Sequence, residues 1–317
     1  MKNTKFNRKD ILNKIEKKIE ILRNEKLSKK KQTEIFIELF TFDKILMKIS
    51  DIKNLKEKRD KLLNKWYEIK KERINKKLGV VQGYKIWSKE YDKLQSKNPM
   101  ILVEEPIVEK ILPNLEEKQI LDVGCGTGRW SIKLKRKSGK DSEIFAIEPN
   151  QAMLNVAKKN IKKKKLEINF KKAGIYNIPF KNEKFDFIIC ALVLSHIKNL
   201  NKAIKEMARV LKNNGIIIIT TRHPGIVDFG KRRHNREGGV LLEKGIYRYF
   251  IEAYPHEFRE FIKVFKKNNL EIVDLFEEVS SKSINKKKVK RAFNDFYDTI
   301  KDEKICLIFK LRKRKLR

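Results

Sequence analysis

The chain has 317 residues, 40% of them hydrophobic, enough to bury one large core with a smaller appendage left over. Lys and Arg number 77 against 41 Asp and Glu, a formal net charge of +36. Three scattered cysteines (Cys125, Cys190, Cys306) exclude a disulfide scaffold, lack metal-ligand spacing and point to a reducing cytoplasm. The N-terminus has charge but no apolar core after it, so no signal peptide is expected, and no apolar run approaches the ~20 residues of a membrane span. The positive charge has two readings. One is a grip on nucleic acid. The other is coding bias, since Lys far outnumbers Arg and Asn and Ile abound, whereas phosphate binding also favours the planar fork of Arg.

In chain order, the stretch from Lys9 to about Leu78 contains neither Gly nor Pro. Apolar residues recur there at helical spacing: Ile11, Ile15, Ile19, Leu22, then Ile35, Leu39, Phe42, Leu46, then Leu62, Trp66, Ile69. Ser28 and Ser50 stand where the phase is lost and suit helix caps. Residues 1–80 are therefore expected to form a helical extension, a hairpin or small bundle, whose basic faces are either solvated or a partner surface. Residues 81–317 form the second region and end in a basic tail, KLRKRKLR. In it short apolar runs alternate with amphipathic stretches, as parallel α/β folds require. Strands are expected at 119–123, 143–148, 166–170, 185–190, 215–221, 270–276 and 305–311. Helices are expected at 128–137, 150–163, 199–211 and 256–268. GIYRYFIEAY (245–254) alternates like the arm of a β-hairpin.

The chemistry starts at ILDVGCGTGRW (120–130). A strand runs into Gly124, Gly126 and Gly128, which permit a tight turn and a close backbone approach, and a helix follows. A second strand then ends in Glu148, and a carboxylate at that sheet position accepts both hydroxyls of a ribose. The ligand accordingly contains a nucleoside. A dinucleotide site would read G-x-G-x-x-G; here the spacing is G-x-G-x-G, with Asp122 just before it. An acid beside the loop is unhelpful to a phosphate and suits a ligand carrying ammonium and sulfonium charges.

This segment resembles the first motif of the class I S-adenosylmethionine-dependent methyltransferases, and more narrowly the methyltransferase type 11 group with its ubiquinone/menaquinone-type enzymes. YKIWSKEYDK (84–93), AGIYNIPFKNEKFDFIICALVLSHI (173–197), RVLKNNGIIIIT (209–220) and YPHEFREFIKVFKKNNLEIVDLFE (254–277) resemble further parts of that group. The resemblance covers roughly 84–277 and implies a doubly wound, seven-stranded, mostly parallel α/β sheet. It implies S-adenosyl-L-methionine as cofactor, with Asp122 near the methionine amino group and Gly124, Cys125 and Gly126 along the methionine part, ahead of Gly128. Glu148 would hold the ribose and Met153 pack near the adenine. Ile175 would cover the adenine, and Ala191 would offer its carbonyl to the ammonium. At Gly174 the chain departs from the usual Asp that receives the adenine amino group.

Three histidines fall where the site should open: His196 after the fourth strand, His223 after the fifth and His256 at a helix start. His223 and His256 are the candidate bases, with 222–256 as the substrate wall; His196 is read as packing at the sheet edge. Tyr84, Trp87 and Tyr91 suit an aromatic lid or a piece of core. No N-P-P-[YFW] tetrad and no Pro-Cys nucleophile occurs, which turns the expectation away from planar-amide and cytosine C5 chemistry. The expected activity is methyl transfer to O or N of a small molecule. The alternatives are an RNA methyltransferase gripping with the basic helices and tail, and a cofactor-binding protein without catalysis.

Overall fold

In a computed structural model, the structure describes residues 8–22, 61, 74–88, 91–95, 98–224, 239–244, 247–254, 256–279 and 304–315. The backbone divides into two units, the described residues up to Lys77 with Leu241–Phe250, and Leu78–Val240 with Ile251 onward. In the first unit, helix α1 (Arg8–Leu22) buries Leu12, Ile15 and Ile19, one stripe at helical spacing. Strand β1 (Ile74–Leu78) follows, in a stretch that helical periodicity had claimed. The helices expected between residues 23 and 73 lie outside the described residues, apart from residue 61.

The second unit continues with α2 (Val80–Trp87), α3 (Tyr91–Gln95) and α4 (Pro99–Ile111). Helix α4 has no counterpart among the expected elements. Asn98 caps it by accepting the Met100 N–H at 3.0 Å, and Pro99 occupies the first turn, where a missing N–H costs nothing. Then come β2 (Gln119–Val123), α5 (Arg129–Lys137), β3 (Glu143–Ile147), α6 (Gln151–Lys163), β4 (Asn169–Lys171), β5 (Phe185–Ala191) and a 3-10 turn at Leu194–His196. They are followed by α7 (Leu200–Val210), β6 (Leu211–Arg222), β7 (Gly239–Lys244), β8 (Tyr247–Glu252), α8 (Phe258–Lys267), β9 (Leu270–Val279) and β10 (Lys304–Lys313). Strands β1, β8 and β7 form a three-stranded sheet in that order, so the Tyr247–Glu252 part of the alternating arm does belong to a sheet.

The other sheet has seven strands, β4-β3-β2-β5-β6-β10-β9. The first five pair parallel, and β10 is antiparallel to both its neighbours. The seven expected strands and the four expected helices are all present within a few residues. Alternation within each strand explains why the sheet is covered on both faces. Leu121, Val123, Ile188, Cys190, Ile217, Ile219 and Phe309 pack one way, against α7 and α8. Ile120, Ile189, Ile218 and Ile308 pack the other way, against α4 and α5. A buried side chain of this size is worth about 1.5–3 kcal/mol, so near-continuous apolar strands favour this doubly wound arrangement. The order reverses between β2 and β5, and ligands of open α/β sheets bind at the carboxyl ends of strands beside such a reversal.

Candidate active site

At that reversal the chain leaves β2 through three glycines with positive φ, Gly124 at 68°, Gly126 at 56° and Gly128 at 88°. Position 124 tolerates no side chain: a Cβ there would lie 2.6 Å from Cγ2 of Val193. Most of the loop's N–H groups are used within the protein. Gly124 and Cys125 donate to the Ile147 carbonyl at 2.9 and 3.0 Å, and Gly128 donates to Cys125 at 2.9 Å. Gly126 donates to Glu148 Oε2 at 3.1 Å. A loop so occupied is no phosphate cradle.

The polar wall it shares with β3 is instead rich in acceptors. Asp122 is 2% exposed and accepts a 2.6 Å hydrogen bond from Ser131 Oγ on α5. Burial is the main reason its pKa rises to about 6, with Ser131 pulling the other way. Glu148 is 8% exposed and receives the N–H of Asn150 on Oε1 at 2.9 Å, as well as Gly126 on Oε2. Burial raises its pKa too, against those two N–H donors. The nearby cation, Arg129, is spoken for: it meets Glu104 at 2.7 Å and Glu105 at 3.0 Å. Glu104, on α4, is fully buried and also accepts from Trp130 Nε1 at 2.7 Å and Thr220 Oγ1 at 2.9 Å. Sequence reasoning missed both Ser131 and Glu104. The available signal for Glu104 was an acid inside the apolar run MILVEEPIV, which a helix can bury only against donors.

These residues surround one cavity. Asp122, Glu148 and Ala191 line it from the sheet, with Gly124, Cys125 and Gly126 in the loop and Met153 on α6. Tyr84, Tyr91 and His196 line it opposite. Gly128, Gly174 and Ile175 are not among its lining residues. Gly128 caps α5, and Ile175 is buried in the core. At Gly174 a Cβ would meet nothing within 4 Å, so packing does not explain the missing Asp.

The histidines fall differently from expectation. His196, read as sheet-edge packing, is the one that lines the cavity. Its Nδ1 faces the Glu252 carbonyl at 2.8 Å, so Nδ1 carries the proton and Nε2 is left as an acceptor. The Tyr84 hydroxyl lies 2.9 Å from that Nε2 and donates to it. Burial lowers the His196 pKa to about 4, which keeps the ring neutral. Tyr84 also stacks edgewise on His196 at 5.3 Å and belongs to a cluster with Trp87 and Tyr91. His256 instead faces two acceptors, the Ile197 carbonyl at 2.6 Å and Glu260 at 3.0 Å. His223 Nε2 meets Glu277 at 2.8 Å. Neither His256 nor His223 is among the lining residues of this cavity. Of the expected substrate wall at 222–256, Glu252 and Tyr254 reach back to the turn holding His196; Tyr254 N–H donates to Ser195 at 2.7 Å. Residues 225–238, 245–246 and 255 lie outside the described residues.

Comparison with known proteins adds three findings. The model of a family described as a methyltransferase domain matches residues 114–296. Demethylmenaquinone methyltransferase of Bacillus mycoides (strain KBAB4) is 26% identical over 174 residues, 53% of this chain and 71% of that one. The protein of the same name from Bacillus cereus (strain B4264) is 27% identical over 145 residues, 45% of this chain and 59% of that one. Among solved structures, an S-adenosylmethionine-dependent methyltransferase from Mesorhizobium loti aligns with a TM-score of 0.51 at 15% identity, covering 66% of this chain and 97% of that one.

Proposed function

The chain belongs to this methyltransferase-domain family, with the class I fold and S-adenosylmethionine as cofactor, and from that premise we propose that it methylates an oxygen or nitrogen of a small molecule in the cavity beside Tyr84 and His196. The residues present fit the cofactor. Two carboxylates, Asp122 and Glu148, face the cavity while the adjacent guanidinium is neutralised by Glu104 and Glu105, so the wall favours a cation. In this reading Glu148 holds the ribose hydroxyls, and Asp122 and the Ala191 carbonyl hold the ammonium. Met153 packs near the adenine. The bound cofactor supplies an electrophilic methyl group.

The Tyr84–His196 hydrogen bond carries the acceptor reading. An O–H or N–H acceptor must lose a proton around the transfer. The neutral His196 ring, locked as the Nδ1–H tautomer by Glu252, presents a lone pair at Nε2. The acceptor's proton passes to the Tyr84 oxygen while the Tyr84 proton passes to Nε2. Because a freshly methylated hydroxyl oxygen that still carries its proton is a strong acid, a base of low pKa suffices for an oxygen acceptor. The two relatives, named for a small-molecule acceptor, support the same class.

The test is a tritiated-methyl assay on cell extract, with small-molecule, RNA and protein fractions counted separately. Label is expected in the small-molecule fraction. Tyr84→Phe and His196→Gln should each cut kcat by about 10²-fold or more, the low end for a lost base, with S-adenosylhomocysteine affinity kept. Label confined to RNA would make the basic surface the substrate grip and overturn this reading.

A further inference from the structure

The geometry points to Asn150 as a positioning residue for the proton transfer: its side-chain amide holds helix α2, and through it the Tyr84 hydroxyl, at a set place relative to the carboxylate of Glu148. The inference rests on the Tyr84–His196 reading above and adds the residue that ties that pair to the cofactor side.

Asn150 stands between β3 and α6 and is 2% exposed. Its polar groups have separate tasks. The backbone N–H donates to Glu148 Oε1 at 2.9 Å. Oδ1 accepts the N–H groups of Ala152 and Met153 at 2.9 and 3.3 Å, capping α6. With the oxygen committed there, Nδ2 is the atom that faces α2, and it donates to the Val81 carbonyl at 2.5 Å. Capping alone does not call for this residue. Ser, Thr and Asp cap helices as well, but only the amide of Asn puts a separate NH2 donor beside the capping oxygen.

Helix α2 is held from two directions. Val80 and Tyr84, four residues apart and so on one side of the helix, line the cavity. Val81 gives its carbonyl to Asn150 on the cofactor side. Gly83 lies against Ile251 of β8, so closely that a Cβ there would overlap Ile251 Cγ1 and lie 2.7 Å from its Cδ1. Ile251 is fully buried, and the next residue is Glu252, whose carbonyl fixes the tautomer of His196. One anchor of α2 is thus hydrogen-bonded to Glu148, and the other adjoins the residue that holds His196. An eight-residue helix has little stability of its own. The 2.9 Å separation of the Tyr84 hydroxyl from His196 Nε2 therefore depends on these anchors. Reacting groups misplaced by about 1 Å can lose about 10²-fold in rate, so the anchor bears on catalysis without touching the acceptor.

The experiment incubates cell extract with saturating tritiated-methyl S-adenosylmethionine and follows label in the small-molecule fraction for wild type, Asn150→Ser, Tyr84→Phe and the double variant. Ser keeps a capping oxygen for α6 and the backbone N–H for Glu148, and its single short hydroxyl cannot serve the cap and Val81 together. Asn150→Ser is expected to label about tenfold more slowly, the effect of one lost hydrogen bond. Its S-adenosylhomocysteine affinity by calorimetry, which also reports folding, should stay within about threefold, since Ser and Asn cap equally well. In the Tyr84→Phe background the same substitution should cost less than about twofold, because a residue that acts through Tyr84 has nothing left to place. A merely structural role would slow both backgrounds alike. Should Asn150→Ser fail to fold, Gly83→Ala carries the test, pressing α2 off Ile251 with the same dependence on Tyr84. Undiminished labelling by Asn150→Ser, equal losses in the two backgrounds, or a loss of S-adenosylhomocysteine affinity as large as the loss of rate overturns this inference and leaves the Tyr84–His196 reading standing. Full labelling by Tyr84→Phe removes that reading and this inference with it, as does label found only in RNA or protein, or none at all.

Discussion

Glu104 ties α4 to α5 and β6 with one carboxylate, and two substitutions separate its charge from its hydrogen bonds. Oε1 receives both Arg129 Nη2 and Trp130 Nε1, and Oε2 receives Thr220 Oγ1. Glu104→Ala leaves the indole and the hydroxyl without an acceptor in a site of zero exposure. Arg129 keeps Glu105, whose side chain is 25% exposed and screened. Breaking a buried pair on one side typically costs about 3–5 kcal/mol, and Arg129 at 12% exposure belongs near the lower end. Glu104→Gln retains an acceptor for Arg129 and Trp130, and its amide can donate to the Thr220 hydroxyl. It loses charge assistance alone, about 1–2 kcal/mol as ionic bonds become neutral ones. Urea unfolding followed by tryptophan fluorescence measures both, with Trp130 as an internal reporter. The expected order is wild type, Gln, Ala, with the two variants separated by about 2 kcal/mol. A cost below about 1 kcal/mol for Ala, or equal costs for the two, would refute the assignment of this carboxylate as a charged hub.

Glu148→Gln should weaken S-adenosylhomocysteine binding at least about tenfold by calorimetry, since an ionised acceptor makes the stronger hydrogen bonds; unchanged affinity would move the ribose elsewhere. Asp122, with its pKa raised to about 6, is protonated more readily in the fold than unfolded, so this group's contribution to stability is present at low pH and lost as pH rises toward and past 6. A cationic ligand needs the ionised form, so S-adenosylmethionine affinity should rise over the same window, by up to about tenfold per pH unit below it, and Asp122→Asn should flatten the profile. His256→Ala should lower thermal stability, through loss of its bonds to Ile197 and Glu260, and leave kcat within about twofold; a large kcat loss would return it to the list of bases. A chain beginning at Leu78 should fold and bind S-adenosylhomocysteine, and failure in a binding assay would make the preceding residues part of the core.

The sheet was legible because its strands carry their own evidence. QILDV, EIFAI and FDFIICA are apolar on both faces and lie between helical patterns, and the loop with Glu148 marks the switch point without any tertiary information. Helix α4 was not legible. Pro106 interrupts MILVEEPIVEK, and two acids sit where an apolar stripe was sought; their partners, Arg129 and Lys133, are more than twenty residues away. β1 escaped because five residues, INKKL, look like a helix fragment until β8 pairs with them. The histidines show a different limit. All three follow strands or open a helix, and position in the sequence favoured His223 and His256 over His196. Choosing among them needs the carbonyl of Glu252, which fixes the tautomer of His196, and the hydroxyl of Tyr84, more than a hundred positions upstream.

The place of β10 in the sheet bears on how the protein is made. It lies between β6 and β9 and supplies β9 with its neighbour in that sheet. While residues 304–313 are still untranslated, β6 has one open edge of Ile216–Arg222 and β9 has no partner in that sheet, although both have already left the ribosome's active centre. Open edges of this apolar kind are templates for mispairing. Vectorial synthesis therefore leaves a half-built sheet waiting on its seventh strand, and slow codons just before residue 304 should increase aggregation of the nascent chain more than slow codons placed after residue 313.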